Sequence, residues 1–544
     1  MRTYGWLRWG AVLGILLFSA IFASRIRAGG VVGNGTPQSC TYDALATAMA
    51  SGGAISFNCG PTQVIIAIET TFTVSSDTSI DGGGLITLSG LQANRIFIVN
   101  SGITLTLDNI TLDNGTAASG NGGTISNAGN LVMTNSILQN SHAPAGWGGG
   151  IFNTGSLTLR DSQLLSNVTG AGAYAGGAIS NSGGDVLLDS VLVQDNHAGY
   201  GGGIDSVGSL TVLNSEITNN FADDALGGGL TLGGTITITN TKIILNHALL
   251  GGGGINATSA AYLTIEDSTI AYNEVTTNSL GDGRGGGILN DGELTLRRVT
   301  LDNNYAQYGG GLQDTGSTTM IFDSTVSNNI AKYSAGGIAK YTELMNVFNS
   351  TISGNQVQGF NAGGGMVLNY GDTGLTHVTF ANNQAYTGGA LATIDTVWTT
   401  VLQGVILSDS SGDNCDIHST LSYSGLNLAD DTTCFTASAT RLIADPLLEP
   451  LTDNGGPTLT HLPGEGSPAI DSGGAICPEY DQRGTPRPLD AGCDLGSVET
   501  APPIPVCGGV FPAVADTFID SANPNQNYGN AASMHLSLDA TRER

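Results

Sequence analysis

Lysine and arginine are scarce: 17 of them stand against 45 aspartates and glutamates in 544 residues, a formal net charge of −28. Binding phosphates takes clustered Lys and Arg, so nucleic acid and an anionic membrane surface are excluded as partners; cations and neutral glycans suit the chain better. Charge of either sign is thin, 11% of residues against the usual ~25%. No cysteine lies between Cys59 and Cys415. Beyond the N-terminal region no apolar run reaches the ~20 residues a membrane-spanning helix needs. The H-E-x-x-H, G-x-S-x-G, phosphate-loop and C-x-x-C patterns are missing, which removes the usual sequence signs of zinc-protease, serine-hydrolase, nucleotide and dithiol chemistry.

Glycine, by contrast, is abundant, with 81 residues or about twice the usual share, yet enough aliphatic side chains remain to build a core. Arg2 and Arg8, the apolar run Gly10 to Ala23 and the small residues near Ala23 and Ala28 read as an export signal over 1–28. Seven cysteines fit an oxidised, exported chain. Proximity suggests Cys40 with Cys59, Cys415 with Cys434 and Cys477 with Cys493, leaving Cys507 over.

The dominant pattern is a repeat. Glycine pairs or triplets precede an apolar residue at Ile125, Ile151, Ile179, Ile204, Leu230, Ile255, Ile288, Leu312, Ile338, Met366 and Leu391, usually 24 to 28 residues apart. Each unit then carries an alternating stretch such as "SLTL", a "DSTI" or "NSEI" turn, and an asparagine, at 140, 167, 196, 220, 246, 273, 304, 329, 355 and 383. Such a period means a solenoid, with three short strands filling each unit. A leucine-rich repeat needs a helical half, which Gly, Ser, Thr and Asn do not supply, and a membrane barrel would show hairpins of longer strands. The expected fold is therefore all-β: a right-handed parallel β-helix of about 14 coils stacked ~4.8 Å apart, with capped ends and a partial C-terminal β module. Glycine permits sharp corners, Leu210, Val212 and Ile217 point inward, and the asparagines form a ladder.

The quoted motifs "GGAI" (Gly176 to Ile179), "GGAL" (Gly388 to Leu391) and "FANN" (Phe380 to Asn383) resemble polymorphic outer membrane protein repeats. That resemblance implies a secreted or surface-exposed β-helix linked to adhesion, at the cell surface or cell outer membrane. Residues Ala444 to Glu499, "ADPLLEPLTDNGGPTLTHLPGEGSPAIDSGG" and "DQRGTPRPLDAGCDLGSVE" among them, resemble the choice-of-anchor Q region of exported bacterial β-helices. After the Pro-rich "TAPPIPVCGG", the stretch "ADTFIDSANPNQNYGNAASMHLSLD" is similar to the opening of a DNRLRE-type jelly-roll module, of which only the first strands are expected. The organisation read from the sequence is then 1–28 export signal, 29–79 N-terminal cap and first coil, 80–410 repeats, 411–498 C-terminal cap, 499–509 linker and 510–544 the start of that module.

Parallel β-helices include pectate lyases and polygalacturonases, so a polysaccharide lyase is weighed as the rival to a non-catalytic glycan-binding adhesin, and a structural stalk as a third reading. Lyase chemistry needs a base beside a cation that stabilises the enolate. Only Arg284, Asp291, Asp314 and Lys340, with Lys332, gather both signs over successive coils. Asp314 and Lys340 follow their glycine corners at equal distance, and the expected arrangement is an ion pair on a solvated face. His142, His197 and His247 recur at one place in alternate coils, too far apart for one metal, and read as exposed and unliganded. No cofactor or metal site is expected beyond weak calcium binding by scattered aspartates. An aromatic stands just before many corners: Trp147, Tyr174, Tyr200, Tyr308, Tyr333, Phe360 and Tyr386. The last four lie on consecutive coils and are expected to form a stripe that either packs the turns or stacks against sugar rings. The partners inferred are surface glycans or receptors on host or neighbouring cells, with membrane contact only through an export or anchoring signal.

Overall fold

The computed structural model describes residues 28–170, 172, 174–276, 283–474 and 477–501. The export signal (Ala28 apart), most of the linker and the 510–544 module lie outside the described residues. The chain winds as a parallel β-solenoid of about 15 turns, close to the expected 14. Each strand pairs with its equivalents in neighbouring coils, as Ile151 does with Ile125 and Ile179.

One coil shows why these residues fold this way. Gly201 turns the corner at φ +54°, and a Cβ on Gly202 would lie 2.4 Å from the Phe221 carbonyl. Four strands follow: Ile204–Ser206, Ser209–Leu213, Glu216–Thr218 and Phe221–Ala222. The fourth exceeds the three that the sequence suggests. Its two residues are too short to leave an alternating pattern, yet its equivalents form a separate sheet of nine strands. Ile204, Leu210, Val212 and Ile217 point inward and are at most 1% exposed. Each such burial stabilises by about 1.5–3 kcal/mol.

Two further corners are made without glycine. Asn214 and Asn219 both adopt left-handed backbone, at φ +51° and +54°. The residue after each turn points inward and carries the hydrogen bonds between coils. After the first turn the ladder is of hydroxyls: Val191 N donates to Ser215 Oγ at 3.0 Å and Ser215 N to Thr241 Oγ1 at 3.3 Å. After the second it is of amides, Asn220 Nδ2 donating to Asn246 Oδ1 at 2.9 Å. This amide ladder runs through 167, 196, 220, 246, 273, 304, 329, 355 and 383.

Asn140 does not belong to it. In that coil the pair reads Asn-Ser, so Asn140 takes the turn (φ +53°) and bonds Asp113 at the surface. The inner slot falls to Ser141, whose N–H donates to Asn167 Oδ1 at 3.1 Å.

At the N-terminal end the helix Tyr42–Met49 is capped by Thr41 and lays Leu45 and Ala48 against the first strands, with Cys40 bonded to Cys59 alongside. The segment 411–498 divides in two. Residues 411–443 complete the last coil, tied by Cys415–Cys434. Beyond Ile443 the chain runs back as a strap along the flank formed by the third strands. Gln482 Oε1 accepts from Thr351 Oγ1 at 2.7 Å, His461 Nε2 lies 2.8 Å from Ser353 Oγ, and Ser497 N donates to Thr379 Oγ1 at 2.9 Å. Buried Arg487 donates to the carbonyls of Asp494 and Gly496 and lies 3.6 Å from Glu499. Cys477–Cys493 closes a loop within this strap.

Candidate ligand groove beside the glycine corners

In the strand that follows each glycine corner, the first and third residues face the core and the second faces out. Along the upper coils these outward residues are Leu289, Gln313, Ala339, Val367 and Ala392, in register. They are nevertheless almost fully covered, between 1% and 7% exposed. The chain before each corner forms one wall over them, and the turn after the strand forms the other. Ala335, Ala362 and Tyr341 pack over Ala339, Val367 and Ala392 in this way; beside Gln313 the column is the floor of a short groove.

Arg284, Tyr308, Gln313, Thr315 and Tyr341 enclose a cavity of about 280 Å³ in this groove. Arg284 and Tyr308 are paired through their backbones. Two residues singled out from the sequence for different reasons, one as a cation and one as a ring, therefore meet. Asp291 joins through a hydrogen bond with the Thr315 hydroxyl. On the floor, Gln313 is 4% exposed and its Oε1 has no hydrogen-bond partner.

Asp314 and Lys340 are not on a solvated face. Both are 0% exposed and point into the core, on the opposite side of their strands from the cavity. They are in register, as their equal distance from the corner suggests. Asp314 occupies the slot of a second polar ladder, in which Asn127 bonds Asn153 and Asn153 bonds Asn181. Here Asn290 Nδ2 donates to Asp314 Oδ1 at 2.7 Å, while Oδ2 has no partner. Lys340 Nζ donates to the carbonyls of Thr342, at 2.9 Å, and Tyr370. Burial pushes the Asp314 carboxyl up, against the hydrogen bonds from Asn290 and its neighbours, and pulls Lys340 down to about 8.

The expected continuous aromatic stripe is two separate pairs. Tyr308 and Tyr333 lie 5.5 Å apart between ring centroids, with Lys332 Nζ over the Tyr333 ring at 5.0 Å. Phe360 and Tyr386 meet edge to face at 5.7 Å and are 88% and 64% exposed. The break follows from loop length: a register shift pairs Tyr308 with Ser334 rather than Tyr333, and Phe360 stands two residues before Ala362, the partner of Thr387. Trp147, 43% exposed, lies 6.4 Å from Phe152, and Tyr200, half-buried, pairs through its backbone with Ala175, both on lower coils.

The three histidines occupy one position in alternate coils, with Val168 and Phe221 between them. Only His142 is exposed. His197 stacks on Phe221 at 4.7 Å and pairs with Asp223, and His247 bonds the Thr276 hydroxyl, because the aromatic in the coil between provides a surface to pack on. Among the described residues, no three His, Cys, Asp or Glu side chains gather in a way that would hold a metal ion.

Gln313, Thr315 and Tyr341 were not singled out from the sequence. Period-two alternation from Leu312 was the available signal for Gln313; Tyr341 lies in a turn whose direction the repeat does not encode. A second trough of about 500 Å³, lined by Leu192, Asn214, Glu216, Asn240, Lys242 and Thr269 among others, lies along the hydroxyl-ladder corner. Asp205, an outward residue of the lower coils, is raised to about 6 by burial, with only the Ser180 hydroxyl opposing. No protein-family model, curated protein or solved structure matches the chain.

Proposed function

We propose that this is an exported, non-catalytic β-helix that binds extended glycans at a cell surface along the groove beside its glycine corners. The observation that carries the reading is the pair of aromatic clusters, Tyr308 with Tyr333 and Phe360 with Tyr386, each standing just before the glycine corners of successive coils. Exposed rings such as Phe360 and Tyr386 present the flat apolar surface on which sugar rings stack, and neighbouring hydroxyls and amides supply the polar contacts. The acidic balance favours neutral ligands over anionic polymers. The resemblance to polymorphic outer membrane protein repeats, with a choice-of-anchor Q-like strap and a DNRLRE-like start, accords with an adhesin held at or released from the cell surface.

A lyase would need its base and its cation in the groove. Asp314 and Lys340 face the core instead, which supports binding over catalysis. The test replaces Tyr308, Tyr333 and Tyr386 by Ala and compares retention on a panel of polysaccharide columns with Tm. Retention lost at unchanged Tm is expected. Wild-type protein retained on no glycan, or Tm lost together with retention, would overturn the reading and leave the rings as packing.

A further inference from the structure

We infer that the trough along the hydroxyl-ladder corner of the lower coils binds an extended, uncharged polypeptide segment of a partner, gripping its main chain as the upper coils grip residues 444–500. The inference concerns a different line of the solenoid from the aromatic clusters and does not depend on the glycan reading. In the upper coils the strap seats on the residues around one corner: the left-handed turn residue, the ladder residue after it and the first residue of the third strand. Thr458 Oγ1 donates to the Asp323 carbonyl at 3.1 Å, Gln482 Nε2 to the Ser324 carbonyl at 3.2 Å, and Thr325 Oγ1 to the Leu459 carbonyl at 2.6 Å. One coil further on, Asn349 Nδ2 donates to the Tyr480 carbonyl at 2.8 Å. Solenoid side chains thus hold the strap by its backbone carbonyls, and beneath it Thr325, Thr351 and Thr379 are at most 1% exposed.

The trough of about 500 Å³ is lined at these same positions on lower coils. Its third-strand residues Leu192, Glu216, Lys242 and Thr269 are in register with one another and, through Thr300, with Thr325. Its turn residues Ser190, Asn214, Asn240 and Asp267 are left-handed, as Asp323 and Asn349 are. The trough is therefore the strap's own seat continued past the strap. Here it stands open: Lys242 is exposed, and Leu192, Glu216 and Thr269 are half-buried.

The donors and acceptors suit a main chain. Thr269 repeats Thr325, and Asn214 and Asn240 repeat Asn349; each of these two asparagines gives one Nδ2 bond to a neighbour, Asp189 and Asn214 in turn, and keeps a second N–H. Lys242 and Glu216, adjacent in register, add a donor and an acceptor one coil spacing, ~4.8 Å, apart. An extended chain offers C=O and N–H groups alternately and meets both. Charges balance locally, with Glu216 beside Lys242 and Asp267 held by Nε and Nη2 of Arg298, so an uncharged segment is favoured over an acidic or basic one. Four coils span about 14 Å, the reach of roughly four extended residues.

The probe is the strap's own sequence, a fluorescein-labelled Pro457–Pro463 peptide (PTLTHLP), titrated into the full chain at pH 8, about 1.5 units above the ordinary histidine pKa, so that its histidine is neutral. Saturable binding by anisotropy is expected. Thr269→Val with Asn240→Gly removes two donors while keeping the strand and the left-handed turn, so Tm is expected to change little and binding to weaken about tenfold or more. Thr325→Val, in the strap's own seat, is expected to leave the peptide affinity unchanged. A peptide that fails to bind, binds the double variant as well as wild type, or loses affinity on Thr325→Val instead overturns the inference. A dimer seen by sedimentation that the double variant abolishes would give the trough to a second copy, and polysaccharide retention lost in that variant would give it to a glycan; either result also overturns it.

Discussion

Replacing Lys340 by Met tests the interior more sharply than any surface change. The ammonium is 0% exposed, and its pKa falls from 10.5 to about 8 because burial outweighs the attraction of Asp314 and Asp372. The unfolded chain therefore binds a proton between pH 8 and 10.5 that the folded chain has released. Stability rises with pH wherever the unfolded state holds more protons, so this lysine contributes an increase across that window. A shift of about 2.5 pH units corresponds to about 3 kcal/mol at 1.36 kcal/mol per unit. Asp314, whose carboxyl is raised, works in the opposite sense in acid: stability falls as pH climbs from 3.8 to its folded value. Lys340→Met keeps length and apolar stem but cannot titrate. The stability of wild type relative to Lys340→Met, followed by guanidinium unfolding from neutral pH to pH 10.5, is expected to rise by about 3 kcal/mol, because wild type alone gains. Tyrosines and surface lysines titrate in both and cancel in the difference. Parallel curves across the whole range would refute the placement of a charged lysine in the core.

Gly202→Val is expected to lower stability by about 1–3 kcal/mol or more, since its Cβ would stand 2.4 Å from the Phe221 backbone and 2.5 Å from Gly228 O; an unchanged Tm would count against the stacked corner. The amide ladder separates Asn167→Ala from Asn140→Ala. The first strands buried partners, Ser141 N and the Leu138 carbonyl among them, at about 1–3 kcal/mol each, whereas the second removes one exposed turn residue and should change Tm little; equal effects would mean that the ladder is wrongly assigned. Non-reducing peptide mapping of exported protein is expected to recover Cys40 with Cys59, Cys415 with Cys434 and Cys477 with Cys493; free thiols at these positions would contradict the staples.

The solenoid was legible because its causes are local and repeated. Glycine pairs, β-branched alternation and asparagine at a nearly fixed offset recur through the middle coils, and each states one turn or one inward position. Asp314 and Lys340 show where reading stopped short. Their register was correct, yet counting by two from Leu312 and Ile338 places both inside, against the ordinary expectation that charges lie at the surface. The same count places Gln313 outside, so the central residue of the cavity was present in the pattern but carried no charge or ring to mark it. The aromatic stripe failed for another reason: loop length before each corner varies, and with it the direction of each ring. The strap stood out as a segment of its own, Ala444 to Glu499, but nothing in it marked where it docks. Its side-chain bonds to the third strands join residues 108 to 158 positions apart, from a segment without the repeat, to surfaces that look like every other coil.

That strap changes how the solenoid comes apart. A stack of coils is a one-dimensional system in which each repeat feels only its neighbours, so unfolding frays inward from an end and stops at any interface strong enough to hold. Residues 444–500 bond to coils whose third strands begin at Thr325, Thr351 and Thr379, and Gly496 N reaches Gly404 O. These coils are thereby joined by a link that skips along the axis, and none of them can leave without releasing a segment that also grips the others. The C-terminal part of the solenoid becomes a single cooperative block. The coils that precede it remain a zipper, opening step by step from the N-terminal side until they meet that block.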